Sequence, residues 1–205
     1  MKTRIRSLLT LVCAVSASLL LIGSPAQAGF IVTLEQEGLN VVATGNGTID
    51  LTGLMFNGTL SPGFNTDMVP QSSIMLIGPT SSPPVTQYLG ASGPPSFGSG
   101  SITLANSGTG DFVGIFAATA VEVPQGYMSN SPLSDSATWD NANFQSLGVT
   151  PGTYKWTWGT GPNQNFTLKI IGPATMPDSG STCGLLLFSV AVLFGASRFR
   201  SLRSA

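Results

Sequence analysis

The chain has no histidine and only two cysteines, Cys13 and Cys183, which stand in apolar segments near its two ends. The region between them therefore has no internal disulfide, Ser-His-Asp triad, Cys-His pair or common zinc site. Carboxylates, hydroxyl groups and two lysines are the reactive groups that remain. We accordingly expect that the protein is not an enzyme and that it holds neither a cofactor nor a metal.

Charge is also scarce, because charged residues make up 8% of the chain against roughly a quarter of an ordinary soluble domain. Six of the eight bases stand close to the two ends of the chain. Residues 29–177 therefore hold two bases and eight acids, a formal net charge of −6. A surface of this sign repels phosphate, which excludes nucleic acid as a partner.

The acids form no obvious catalytic or metal-binding set. Glu35 and Glu37 stand two residues apart, and Asp135 and Asp140 lie in a loop-like stretch, so no spacing singles out a pair of the kind used in glycoside hydrolysis. Asp50 and Asp140 stand beside asparagine-rich stretches and offer oxygen ligands for calcium. The alternative, which we favour, is a solvated turn or a helix cap.

The first 28 residues have the pattern of a secretory signal peptide. Three bases precede an apolar run at residues 8–22, and Ala26 and Ala28 form an A-x-A site before Gly29. We expect signal peptidase to cut after Ala28, so that the mature chain begins at Gly29 outside the cytoplasm.

The other end of the chain has a similar character. An apolar stretch of 15 residues begins at Cys183 and ends at Ser197, and a basic cluster follows it, formed by Arg198, Arg200 and Arg203. A helix that spans a bilayer needs about 17–20 residues, and a basic cluster stays in the cytoplasm. Residues 183–197 therefore predict a marginal helical anchor that holds the domain outside the inner membrane for a limited time.

A short motif stands just before this anchor, namely Pro177, Asp178, Ser179 and Gly180. The order of motif, apolar helix, arginine cluster and chain end resembles the PEP-CTERM class of sorting signals, in the variant that reads V-P-D-S-G. Met176 replaces the usual valine of that variant. Residues 176–205 are thus interpreted as a sorting signal, and a permanent tail anchor is the alternative.

The resemblance implies an exosortase, a membrane protease that removes the tail and passes the protein to the cell surface. Bacteria that use such signals typically make exopolysaccharide, which is therefore a candidate partner. Residues 123–170 are similar to a segment that often precedes this tail, with its Gly-Tyr, Thr-Pro-Gly-Thr-Tyr and Trp-Thr-Trp-Gly features. That similarity implies an exported domain and no catalytic residues.

Short β-like runs separated by turn residues fill the region between the two signals. They lie at residues 30–34, 39–45, 47–51, 73–78, 85–89, 101–105 and 111–123. The pattern predicts turns at residues 45–47 and 106–110 and a single helical turn near residues 140–147, which Asp140 caps and Gly148 ends. We expect residues 29–175 to form an all-β domain, a two-sheet β-sandwich, between a signal-peptide helix and an apolar sorting helix.

The clearest strand pair is the predicted hairpin near the end of the domain. Period-two alternation places Tyr154, Trp156 and Trp158 on one face, and likewise Phe166, Leu168 and Ile170. Pairing Trp156 with Leu168 would set Lys155 directly opposite Lys169, which is unfavourable. We therefore predict a register shifted by two residues, or acids from a neighbouring strand beside the lysines.

Exposed aromatic rings provide an alternative function, because flat rings stack on sugars. The alternation of Tyr154, Trp156 and Trp158 favours a place in the core. Trp139 stands in a polar setting of Asp and Asn and is expected to be exposed. Tyr127 and Trp139 are therefore the candidate sugar-contact residues of a carbohydrate-binding module. The leading hypothesis remains a structural or adhesive protein of the cell surface or of the exopolysaccharide (biofilm) layer.

Overall fold

A computed structural model of the chain describes residues 29–61 and 63–172, and these residues are mostly β-strand. The strands are β1 (Phe30–Glu37), β2 (Asn40–Thr48), β3 (Met55–Leu60), β4 (Asp67–Val69), β5 (Ile74–Ile77), β6 (Val85–Leu89), β7 (Thr103–Leu104), β8 (Ser107–Gly110), β9 (Val113–Phe116), β10 (Ala120–Pro124), β11 (Pro132–Trp139), β12 (Gly152–Thr157) and β13 (Asn165–Ile171). A 3-10 turn (Pro70–Ser72) and one short helix, α1 (Phe144–Leu147), complete this part. The predicted signal peptide and sorting tail, with their two helices, lie outside the described residues.

The strands form two sheets. The six-stranded sheet has the order β12-β13-β1-β2-β11-β8, and the seven-stranded sheet has the order β3-β6-β10-β9-β5-β4-β7. The first and last strands are parallel neighbours, with Phe30 opposite Phe166 and Glu35 opposite Ile171. Because both strands start at the same end of the sheet, the chain enters β1 at one end and leaves β13 at the opposite end.

One apolar core lies between the sheets. In β1 the alternate residues Phe30, Val32 and Leu34 are buried, as period-two geometry requires of a strand with one inward face. The opposite sheet contributes alternate residues in the same way, including Ile115 of β9 and Val121 of β10. The predicted all-β sandwich is thereby confirmed for the part of the chain that the structure describes.

The two sheets are aligned at both sides by the chain itself. Only Ala105 and Asn106 separate β7 from β8, so these edge strands meet at one corner. On the other side, Ser92 follows β6 and forms an isolated antiparallel bridge with Thr157 of β12. The segment that follows β6 therefore lies beside β12, at the edge of the six-stranded sheet.

The aromatic hairpin has the register that charge repulsion predicts. Trp156 pairs with Phe166 rather than with Leu168, so the register is shifted by two residues. Lys155 consequently faces Thr167, and Lys169 faces Thr153. The shift keeps both apolar faces aligned while it separates the only two lysines of the domain.

Two predicted turns are wrong, because glycine serves close packing there rather than chain reversal. β2 runs straight through residues 45–47, and β8 contains most of residues 106–110. A Cβ on Gly45 would collide with the Asp135 carboxyl, and one on Gly108 would collide with the carbonyl of Gly78. Absence of a side chain therefore lets neighbouring groups approach these two strands.

The helical turn is confirmed at Phe144–Leu147, but its predicted cap is wrong. Asn143, not Asp140, caps α1, since its Oδ1 accepts a hydrogen bond from the Ser146 backbone N–H at 2.8 Å. The Ser146 hydroxyl in turn accepts from the Asn143 N–H at 2.9 Å, which completes a capping box. Gly148 ends the helix in the left-handed region at φ 64°, as predicted.

Candidate functional site

Trp139 is buried, so the expectation that it is exposed is wrong. It is the last of the inward-facing positions of β11, which also include Leu133 and Ala137, and only 1% of its surface is accessible. Its indole Nε1 donates a hydrogen bond to the Thr103 carbonyl at 3.1 Å. The polar residues that follow Trp139 belong to the next turn and say nothing about the ring itself. A ring in this position offers no face to a sugar.

Tyr127, the second sugar-contact candidate, is half-buried and acts as a clamp. Its hydroxyl accepts a hydrogen bond from the Ile49 N–H at 3.0 Å and donates to the Ser131 carbonyl at 2.8 Å. These bonds tie the connection between β10 and β11 to the end of β2. Burial raises the pKa of this hydroxyl, so it stays protonated.

The tryptophans of the hairpin also hold loops in place. Trp156 is fully buried and its Nε1 donates to the Pro94 carbonyl at 3.1 Å. The Nε1 of Trp158, which is also buried, donates to the Asp50 carbonyl at 2.7 Å. The rings thus fill the core and satisfy their one polar group on neighbouring loops, as large aromatic residues usually do.

The acids singled out from the sequence are scattered. Glu35, Glu37 and Asp140 are exposed. The Asp50 carboxylate accepts hydrogen bonds from the Thr52 N–H at 2.9 Å and the Ser129 hydroxyl at 3.2 Å. The Thr52 bond is the main cause that lowers the pKa of Asp50. Asp50 therefore stabilises a turn, and no group of three potential metal ligands occurs among the described residues.

Three carboxyl groups are buried, those of Asp67, Glu122 and Asp135. The prediction that Asp135 lies in a loop-like stretch is wrong, because it belongs to β11. Asp135 faces the core from β11 and is 6% exposed, and neither of its carboxyl oxygens has a hydrogen-bond partner in the described part of the chain. Burial raises its pKa to about 8, and the nearby charge of Asp111 adds to the effect. Asp135 is consequently a largely neutral carboxylic acid at pH 7.

Glu122 and Asp67 lie in one row across the outer face of the seven-stranded sheet. The row follows the cross-strand pairs Gln87–Glu122, Glu122–Gly114, Gly114–Leu76 and Leu76–Asp67. Burial raises the pKa of Glu122 to about 7 and that of Asp67 to about 6. Gln87 Nε2 donates to Glu122 Oε1 at 2.6 Å and lowers the Glu122 pKa slightly in compensation.

The spacing of this row decides whether the two acids can work together. Glu122 and Asp67 stand three strands apart, which at about 4.8 Å per strand is roughly 14 Å. Glycosidase carboxyls lie about 5–9.5 Å apart, so the two acids are too distant to act as such a pair. Alternation with Leu133, Ala137 and Trp139 would have indicated the inward position of Asp135. Glu122 alternates with the inward residues Val121 and Val123, so its pattern indicates the outer face and gives no signal of burial.

An open depression of about 410 Å³ lies where the β1–β2 turn meets the segment before α1. Gln36, Gly38, Leu39 and residues 141–143 line it, and none of these is titratable. The Gln36 amide donates to the carbonyls of Asn40 and Ala142 at 2.9 and 3.0 Å, so its polar group holds the two segments together. The depression therefore supplies no catalytic chemistry.

Comparison with known proteins concerns the tail. A family model described as the VPDSG-CTERM motif matches residues 177–200, and the match begins at Pro177. The chain thus carries a PEP-CTERM-like sorting tail, which indicates a secreted protein. No curated protein and no solved structure matches the chain. Within the residues that the structure describes, no helix is long and apolar enough to cross a membrane.

Proposed function

We propose that the protein is an exported component of the cell surface or extracellular matrix that an exosortase releases from a temporary membrane anchor. The observation that carries this proposal is the sorting tail at residues 177–200. The signal-peptide pattern that ends at Ala28 supplies the route across the inner membrane. Signal peptidase and the exosortase are then the two enzymes that process the chain.

The composition of the tail supports a temporary role for the anchor. Its 15 apolar residues fall short of the about 17–20 that a stable transmembrane helix needs. Arg198, Arg200 and Arg203 resist transfer across the membrane and keep the end of the chain in the cytoplasm. Cleavage near residues 177–181 would leave the domain outside, without either cysteine and with two of the eight bases.

We further propose that the domain is structural or adhesive rather than enzymatic. Its tryptophans are buried and hold loops through their indole N–H groups, and its buried acids lie in the core or far apart. Neutral hydroxyl and amide side chains cover much of the rest, which suits a protein embedded in hydrated exopolysaccharide. A carbohydrate-binding module is the alternative, and of its two candidate residues only Tyr127 keeps any exposed surface.

Fractionation of cells that carry the exosortase tests the sorting step. Asp178→Ala alters the motif, and Thr175→Ala, three residues earlier and outside the matched residues, is the control. We expect the unaltered chain and T175A in the surface and medium fractions, and D178A or an exosortase deletion in the inner membrane. If all of them stay in the inner membrane with the arginine cluster intact, the tail is a permanent anchor and the proposal is wrong.

A further inference from the structure

β3 differs from the other long strands because it is exposed on both faces. Met55 and Phe56 point to opposite faces and are 65% and 62% exposed, and Leu60 is also exposed. A strand over a core buries every second side chain, whereas no residue of β3 is buried, so we describe β3 as an overhang that projects past the core. The overhang explains why apolar residues remain in water here.

Within the described part of the chain, the other sheet edges have neighbouring segments at single points, whereas Ser107, Thr109 and Gly110 of β8 and Leu104 of β7 are exposed. On β12, Thr157 exchanges two backbone hydrogen bonds of 2.9 Å with Ser92, and Gly93 packs closely against the Trp156 ring. At the opposite corner the Trp139 indole N–H donates a hydrogen bond to the Thr103 carbonyl of β7, and Gly108 of β8 lies against Gly78. Among residues 29–61 and 63–172, β3 pairs with β6 alone, and no other strand lies beside its outer row of N–H and C=O groups.

β3 also lacks most of the features that keep edge strands apart. Such strands are usually protected by lysine, proline or inward-pointing charge, by a bulge, or by a covering segment. Residues 51–66 contain no charged residue, and β3 contains no proline. A single bulge at Asn57 is its one protective feature. An uncharged, apolar and uncovered edge in an acidic domain is a surface that favours association.

We propose that β3 is the docking edge for a second copy of this chain, with the two β3 strands antiparallel about a two-fold axis. Local charge permits this occupant, because residues 51–66 contain none of the eight acids of the domain, so two β3 strands can meet without placing acids opposite each other. Closure favours it as well, since a two-fold pair satisfies both edges at once. A single added peptide strand would leave a new bare edge.

Phe56 supplies the apolar part of this contact. It lies on the inner side of the overhang, where its ring packs edge-on against Tyr88 with a centroid distance of 6.0 Å. Pairing across the two-fold axis brings the two overhangs together and covers the exposed side of both Phe56 rings. Met55 and Leu60, on the outer face, would join the apolar surfaces of the two seven-stranded sheets across the β3–β3 contact. Pairing through β3 requires only the β domain, so it does not depend on how the tail is processed.

Sedimentation velocity of the full chain in mild detergent tests the pairing. Thr59→Lys introduces a charge into β3, and Leu104→Lys introduces the same charge into β7, where the side chain is 55% exposed. We expect T59K to weaken self-association at least tenfold and L104K to leave it unchanged. Equal association of T59K and the unaltered chain, with both folded by near-ultraviolet circular dichroism, would overturn the proposal.

Disulfide crosslinking provides a second measurement that does not depend on weakening the contact. In a chain with Cys13→Ser and Cys183→Ser, a single cysteine is placed at Asn57 or Thr59, or at Ile102 or Leu104 for comparison. We expect oxidised dimers from the β3 positions alone. Dimers formed equally well from the Ile102 and Leu104 positions, or from none of the four, would contradict a β3 interface.

Discussion

β12 and β3 are the edge strands on the same side of the sandwich, yet β12 has a neighbouring segment and a buried side chain whereas β3 is exposed. The segment at Ser92 and Gly93 lies beside the end of β12, and Trp156 of β12 is fully buried. β3 projects past that side with Phe56 largely in water. The difference shows that β3, the outermost strand of the seven-stranded sheet, adds surface without adding core. Substitutions at the two strands should therefore have very different effects on stability.

Trp156→Ala should produce the largest loss of stability. The substitution leaves a cavity beside Phe166, whose ring centroid lies 5.9 Å away, and removes the hydrogen bond to Pro94. We expect the free energy of unfolding to fall by about 3–5 kcal/mol, as for other buried tryptophans. Urea denaturation followed by circular dichroism measures it. A loss below about 1 kcal/mol would mean that β12 is not part of the core.

Asp135→Asn should change the pH dependence of stability by a few kcal/mol. Burial raises the folded-state pKa of Asp135 to about 8 from 3.8, so the folded state binds the proton more tightly than the unfolded state. Its contribution to stability is full below about pH 4 and is lost as the pH rises to about 8. D135N should therefore gain stability over the unaltered chain across this range, measured by denaturation at each pH.

Asp50→Asn is the matched control for D135N, because the sign is reversed. The Thr52 hydrogen bond lowers the pKa of Asp50 in the folded state, so its contribution is present above the unfolded pKa and is lost in acid. D50N should thus be less stable than the unaltered chain at neutral pH and should approach it in acid. Similar pH profiles for D135N and D50N would contradict the burial of Asp135.

Gly93→Ala should have an intermediate effect on the covered edge. A Cβ at this position would meet the Trp156 ring and, at 2.8 Å, the Lys155 carbonyl. The segment would have to move away from β12, at a cost of about 1–3 kcal/mol. Thermal unfolding of this variant beside the unaltered chain provides the measurement. An unchanged Tm would show that the cover over β12 is loose.

Phe56→Ala should have the smallest effect on the stability of the single copy. Its ring is 62% exposed and contacts mainly Tyr88, so truncation should change the free energy of unfolding by about 0.5 kcal/mol or less in dilute solution. Urea denaturation at low protein concentration measures this value. A loss comparable to that of W156A would show that β3 belongs to the core and is not an overhang.

The sequence predicted most reliably those elements in which one face is buried without interruption. β1 alternates between buried and more exposed side chains, and the β12–β13 hairpin alternates apolar with polar residues. The repulsion of Lys155 and Lys169 predicted the shifted register as one of two outcomes. β3 was missed because exposure on both faces leaves no alternation to detect. β11 was missed because Asp135 breaks its inward apolar pattern. The polar residues that follow Trp139, beginning with Asp140, made that ring look exposed.

A candidate site could be predicted when its residues are contiguous in the sequence, and could not when it depends on residues brought together by folding. The sorting motif is a contiguous stretch that acts through its order of residues, so it could be recognised directly and the family model matches it. The burial of Glu122, Asp67 and Asp135 depends on which strands meet. The same holds for the bare edge of β3, because the strand that ends a sheet is decided by how the strands pair.

Intact-mass spectrometry of the protein recovered from the cell surface or medium tests export and tail removal most directly. Cleavage at both signals predicts a chain that begins at Gly29 and ends within residues 176–182, without the arginine cluster. Tryptic coverage of both ends would assign the two cleavage positions. A surface form whose mass still includes Arg198, Arg200 and Arg203 would contradict the proposed sorting step.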